Sequence, residues 1–433
     1  VSGVAWSIVL CGAAMRALPA LGEGAPAVLL DEKEKGIALR LSPLPPPPPD
    51  PTNAVADDPA AARLGQFLFF DTRLSANGRL ACVSCHDPQQ GFADGKALAE
   101  GLRLGRRHAA TLWNVAYNRW FFWDGRADTL WSQALHPLES PNELGSSRLE
   151  LAHLVFRERE LRAAYERLFG ALPDLSDERR FPAAGRPMPG EPDHPHHRAW
   201  TAMAPADQEL VDRIFSNMAK CLAAYERRLV SRQAPFDRFV EGLRGGDRAG
   251  LEALSPSAQR GLQVFIGDGN CRLCHSGPNF TDGEFHDTRV PSADGGRPGD
   301  AGRFAGAEEV LRDPFNAAGA YSDERQGPAA QKLSFLSNSP QNWGLFKTPT
   351  LRNVTRTAPY MHQGQKQTLR EVLQHYSTFE GAQADSHHPE NILVPLRLDP
   401  GEIDDLLAFL ESLTDEALPA ELLRPPGSPL PEP

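Results

Sequence analysis

The sequence predicts a mainly α fold made of two related helical units with extensive loops, and two stretches carry that prediction. Residues 60–70 place Leu64, Phe67 and Leu68 at helical spacing and lead through a turn into Cys82-Val83-Ser84-Cys85-His86. Residues 255–265 begin with an N-cap serine and a first-turn proline, and lead through a glycine turn into Cys271-Arg272-Leu273-Cys274-His275. The same order of helix, turn and C-x-x-C-H thus occurs twice, about 189 residues apart (82 to 271).

The remaining elements fall around these units. Residues 149–168 and 208–229 have helical patterns, and Asp399 caps an amphipathic helix of the kind that closes small cytochrome c folds. Residues 172–197 read as a loop insertion in which His194, His196 and His197 are solvated. Residues 281–342, rich in Gly, Asp and Ser, read as an extended loop. The expected organisation is a signal peptide at 1–27 and a Pro-rich linker at 28–52. An N-terminal haem domain at 53–235, a C-terminal one at 236–424 and a disordered tail at 425–433 follow.

C-x-x-C-H is the attachment motif of c-type haem: both thiols add across the vinyl groups, and the histidine is held beneath the iron. Two copies imply two covalently bound haems c, with Cys82, Cys85, Cys271 and Cys274 as attachment points and His86 and His275 as proximal ligands. Cys221, in a helical pattern, reads as a small buried apolar residue. Such haem attachment takes place outside the cytoplasm, so the expected location is the periplasm. The N-terminal apolar stretch is interrupted by Arg16 and Pro19, which disfavours an integral membrane span. A net charge of −11 disfavours nucleic acid as a partner.

The distal ligands decide whether each haem stores electrons or does chemistry. In the second unit Met361, His362, His375 and Tyr376 are all candidates, and spacing alone does not choose among them. Between His86 and Trp123 the first unit offers His108 and no methionine. A haem without a strong sixth ligand is open to peroxide, and a nearby acid such as Glu143 could shuttle the proton.

In combination, these residues resemble the bacterial di-haem cytochrome c peroxidases and the MauG-like enzymes among them. The resemblance covers about residues 60–415. It rests on both haem motifs and on Leu68-Phe-Phe-Asp-Thr-Arg-Leu-Ser, Trp113-Asn-Val-Ala-Tyr-Asn, Phe122-Trp-Asp-Gly-Arg-Ala, Pro141-Asn-Glu-Leu and the run from Phe346 to Gly364. It implies two cytochrome c-like domains facing one another, with the N-terminal haem reacting with hydrogen peroxide. Trp123 would relay electrons between the haems, Glu143 would be the distal acid, and Gln133 and Pro137 would line the distal pocket. Fourteen residues after His362 the family places the second haem's distal ligand, a Met in ordinary peroxidases and a Tyr in MauG-like enzymes. That position is Tyr376, which leaves Met361 as packing.

The resemblance also implies a calcium ion held partly by the backbone carbonyls of Thr357 and Pro359. The family's Asn ligand is replaced by His108, and calcium prefers oxygen. The inhibitory loop histidine is absent, which implies a five-coordinate first haem. The implied activity is oxidation of a periplasmic protein substrate by peroxide. The rivals are an ordinary peroxidase fed by a small cytochrome or copper protein, and a di-haem electron carrier without peroxide chemistry.

Overall fold

The computed structural model describes residues 28–291, 293, 299–383, 393–415 and 419–431. The expected signal peptide lies outside them. The protein is mainly α, with two large hydrophobic cores among the described residues and much irregular structure between.

The N-terminal segment corrects the expected linker. Helix α1 (Glu32–Ala38) opens with an Asp31/Glu34 capping box, and Leu30, Ala38 and Leu41 are buried in the second core. Farther along, Thr52 accepts from Trp131 Nε1 at 3.0 Å and Asn53 donates to the Lys220 carbonyl, both in the first half. Residues 28–53 are therefore a strap across both halves; the proline run conceals its buried leucines.

The first core is built by α2 (Pro59–Phe70), α3 (Leu130–Glu139), α4 (Arg148–Arg157), α5 (Arg159–Phe169), α6 (Pro195–Thr201) and α7 (Pro205–Glu226). Cys221 is fully buried in α7, as expected. The histidine cluster is no simple loop: His194 caps α6 and His197 Nδ1 accepts from the Met188 amide. Asp-His-Pro is an N-terminal signature of that short helix.

In the second half, α8 (Pro235–Gly245), α9 (Arg248–Leu251), α10 (Pro256–Ile266), α11 (Arg303–Arg312), α12 (Pro328–Ser334), α13 (Leu369–Thr378) and α14 (Pro400–Glu411) follow. Phe236, Phe265, Phe280 and Phe409 pack edge-on or tilted at its centre. Helices α11 and α12 lie inside the stretch expected to be loop, and this stretch also sends Phe315 and Tyr321 into the first core.

Residues 419–431 also pack against the first half. Leu422 is buried in the first core and its carbonyl accepts from Tyr225 Oη at 2.6 Å, while Arg63 Nε donates to the Ser428 carbonyl. The expected disordered tail is pinned to α2 by backbone carbonyls that a sequence pattern does not reveal.

Each half rests on one close helix crossing. A Cβ on Gly65 of α2 would meet the Cys221 carbonyl oxygen of α7 at 1.8 Å, and one on Gly261 of α10 would meet that of Asp405 in α14 at 1.9 Å. These glycines let helix backbones touch and bring each haem motif onto its core.

Candidate functional site

Both C-x-x-C-H motifs have the same local geometry. Cys82–Ser84 and Cys271–Leu273 each form a 3₁₀ turn, and the His86 and His275 amides donate back to the Cys82 and Cys271 carbonyls at 3.0 and 2.9 Å. His86 Nδ1 donates to the Phe92 carbonyl at 3.0 Å, and His275 Nδ1 to that of Phe280 at 2.9 Å. Spending Nδ1–H on a carbonyl fixes the tautomer and leaves Nε2 as the metal-facing lone pair. Burial lowers both imidazole pKa values, which keeps that lone pair available.

The motifs open on one continuous cavity of about 580 Å³. Its walls include Cys85, His86, Cys271, Cys274 and His275, together with Trp123, Gln133, Pro137, Glu143, Thr357, Pro359 and Tyr376. Of the haem-attachment, ligand and pocket residues that the resemblance implies, Cys82 alone stands outside this lining, and the candidate His375 also lies outside it. Paired thiols, oriented imidazoles and an apolar shared cavity fit haem c in each half.

The two halves repeat each other beyond the motifs. At a constant offset of 239 residues, Asn114 matches Asn353, Phe122 matches Met361, Gly125 matches Gly364 and Thr129 matches Thr368. All but the threonines have positive φ in both copies: 58° and 59°, 62° and 72°, 69° and 64°. Thr129 and Thr368 both cap a helix, α3 and α13, at nearly the same angles. The same offset pairs Trp123 with His362, His108 with Lys347 and Pro137 with Tyr376. The contacts between halves follow this symmetry: the Lys347 amide donates to the Trp123 carbonyl and the His108 amide to the His362 carbonyl, each at 2.8 Å.

On the first-half side of the cavity, α3 presents Gln133 and Pro137 one turn apart. Gln133 Oε1 is buried and has no hydrogen-bond partner among the described residues. Burial raises the Glu143 carboxyl pKa, while Arg126 and His136 act to lower it. Arg126 lies over the Phe122 ring at 3.5 Å, and His136 Nε2 is 3.1 Å from Asp313 Oδ2. The sequence reading singled out neither residue. Arg126 was visible within Phe-Trp-Asp-Gly-Arg; the partner of His136 is 177 residues away and left no local signal.

The second half differs at the matching position. Tyr376 lies on α13 within the lining, and its hydroxyl pKa is pushed up by burial and by the nearby Cys274 and Cys271. His375 points elsewhere, with Nε2 2.9 Å from the Thr288 carbonyl. His362 stacks on Phe346 at 3.7 Å. Met361 also lines the cavity.

Trp123 sits where the halves meet. Its indole N–H donates to the His108 carbonyl at 2.9 Å, and its own carbonyl is held by Lys347. His108 does not offer its ring as the family's Asn would: Nδ1 is 2.7 Å from the Lys96 carbonyl. Thr357 and Pro359 lie in the cavity wall, but the side chain expected to complete a calcium site there is His108, which offers ring nitrogen where calcium prefers oxygen and whose Nδ1 is held by the Lys96 carbonyl. The donor set does not fit calcium.

Two pseudo-symmetric helical halves, each bringing a C-x-x-C-H motif to a shared cavity, define a di-haem c-type cytochrome. The sequence profile of the family described as di-haem cytochrome c peroxidase matches residues 59–245. The methylamine utilization protein MauG of Methylophilus methylotrophus is 32% identical over 362 residues, covering 82% of this chain and 83% of the relative. The cytochrome c551 peroxidase of Pseudomonas aeruginosa is 29% identical over 358 residues, covering 81% and 78%. Among solved structures, a MauG-like protein associated with microbial copper homeostasis superposes with a TM-score of 0.60 at 25% identity, covering 88% of this chain and 97% of that one. The chain belongs to the di-haem cytochrome c peroxidase family, and its members are oxidoreductases carrying two c-type haems. No helix among the described residues is long and apolar enough to cross a membrane.

Proposed function

We propose that this protein is a periplasmic MauG-like oxidase. Hydrogen peroxide reacts at the His86 half, and the oxidising equivalents are shared with the His275 half and used on a protein partner. The observation that carries this reading is the contrast at one repeat position, where the first half has Pro137 and the second has the buried Tyr376. Pro137 has no side-chain donor for iron, so the first site stays open to a small oxidant.

The two haems c, when bound, supply iron that exchanges electrons with peroxide and with each other. The protein's part in the first half is proton handling. Glu143 takes a proton from the incoming peroxide oxygen and returns it to the departing one, which leaves as water. Arg126 supplies positive charge near that carboxylate, and the unpartnered Gln133 Oε1 accepts from a bound hydroxyl. Trp123, held by both halves, provides the aromatic bridge. Tyr376 would hold the second iron through its phenol oxygen, and such a hard anionic donor would favour the oxidised states of that iron.

The rival within the family is a peroxidase drawing electrons from a small cytochrome or cupredoxin, and the peroxidase relative keeps it in view. Adding one equivalent of peroxide to the di-haem ferric protein separates the two. The proposed reading expects spectral change in both haems and slow decay, with little turnover when a reduced cytochrome or cupredoxin is supplied. Rapid catalytic oxidation of such a donor, with Tyr376→Phe leaving the second haem's spectrum intact, would sink it.

A further inference from the structure

Arg107 occupies the seam between the halves. Its repeat counterpart is Phe346 (107 to 346), and the guanidinium carbon lies 5.6 Å from the centre of that ring. A residue and its own counterpart thus face each other across the pseudo-symmetry axis. Nε and Nη2 donate to the two oxygens of Asp300 at 2.7 Å each, and Nη1 is paired with Asp124. Asp124 comes from the first half and Asp300 from the second. All three side chains are largely buried, at 16%, 4% and 6% exposure. Their chain neighbours are Trp123 and His108, which are themselves joined by the indole hydrogen bond. Residues 107–108 and 123–124 are therefore linked twice, once by charge and once through the indole.

A bidentate guanidinium with a second carboxylate satisfies a planar donor set that a point charge would not. It also leaves little for a dication. Calcium needs six to eight oxygens, yet Asp300 gives both of its oxygens to Arg107, and Asp124 is shared by Arg107 and Arg126. The residue at the family's Asn position offers a ring nitrogen already bound to a carbonyl.

We infer that the seam holds no calcium ion, and that the Arg107 guanidinium, clamped between Asp124 and Asp300, joins the two halves at Trp123. The consequence for electron relay rests on the role proposed above for Trp123; the metal-free clamp does not. Arg107 is a positioning residue, and it acts through Trp123 and the seam.

The test uses the di-haem holoprotein. Its calcium content is measured by elemental analysis, and the two haem reduction potentials are measured with and without EGTA. The expected result is no stoichiometric calcium and potentials unmoved by the chelator. Stoichiometric calcium whose removal shifts the potentials overturns the inference. In a second arm, Arg107→Gln is expected to shift the potentials and weaken the second haem's response to peroxide. Arg107→Lys should recover only part of both, and added guanidinium should restore Arg107→Gly. Unchanged potentials in Arg107→Gln overturn the clamp, and the wild-type metal content decides the matter if that variant does not fold. Trp123→Phe separates the two readings: a normal peroxide response there removes the relay but not the clamp, which stands on metal content and potentials.

Discussion

Pro137 and Tyr376 stand at the same place in the two halves, each eight residues after the threonine that caps its helix (129 to 137, 368 to 376). One backbone design therefore presents a ring without a donor to one cavity wall and a phenol to the other. Replacing Tyr376 by Phe removes the phenol oxygen proposed as a ligand and should raise the second haem's reduction potential by roughly 0.1 V. That is a fraction of the about 0.8 V that axial ligands span in haem proteins. Spectroelectrochemical titration checks it, and the first haem's potential should move far less.

Glu143 is proposed to act as a base, so it must be ionised. Burial raises its pKa, and the carboxylate is therefore lost on acidification at a higher pH than an exposed glutamate would require. The rate of reaction with peroxide should fall as pH drops through that raised value. Glu143→Gln should slow the reaction by about 10²–10⁴-fold and flatten this acidic limb. Stopped-flow mixing with peroxide across pH provides the measurement.

What was legible in the sequence was local chemistry. The haem motifs, the Asp399 and Ser255 caps and the helical period around them needed only neighbouring residues, and each reappears in the fold. Tyr376 needed family spacing, because Met361, His362 and His375 were equal candidates by composition. What stayed hidden depended on distant partners. Arg107 and Asp300 are 193 residues apart, and Leu30 and Leu41 bury themselves against helices more than two hundred residues later. A proline-rich segment and a Gly/Asp-rich stretch read as solvated because their few apolar residues, among them Leu41 and Phe315, find their cores only in three dimensions.

The helix crossings give a stability test of the two halves. A methyl at Gly65 or Gly261 would lie within 2 Å of a backbone carbonyl oxygen, an obstacle that cannot rotate away. Either Gly→Ala change should cost about 3 kcal/mol or more, at or beyond the upper end of ordinary overpacking. Urea unfolding followed at each haem's own absorbance should show Gly65→Ala weakening the first half more, and Gly261→Ala the second.

Glu226 closes α7 beneath the first haem motif, 5% exposed, and its Oε2 has no hydrogen-bond partner among the described residues. Burial pushes its pKa up to about 8, so at neutral pH the folded protein holds this side chain protonated while the unfolded chain releases the proton. The folded pKa is raised, so this group's contribution to stability is fully present below the unfolded value of about 4.3 and is lost as pH rises through about 8. Glutamine keeps the shape and cannot ionise. Glu226→Gln should therefore abolish that part of the pH slope and stabilise the protein at pH 7 by up to about 3 kcal/mol. Denaturant midpoints for wild type and variant should coincide near pH 4 and separate steadily toward pH 8. Parallel curves across that range would mean that Glu226 finds a partner in the haem-loaded protein.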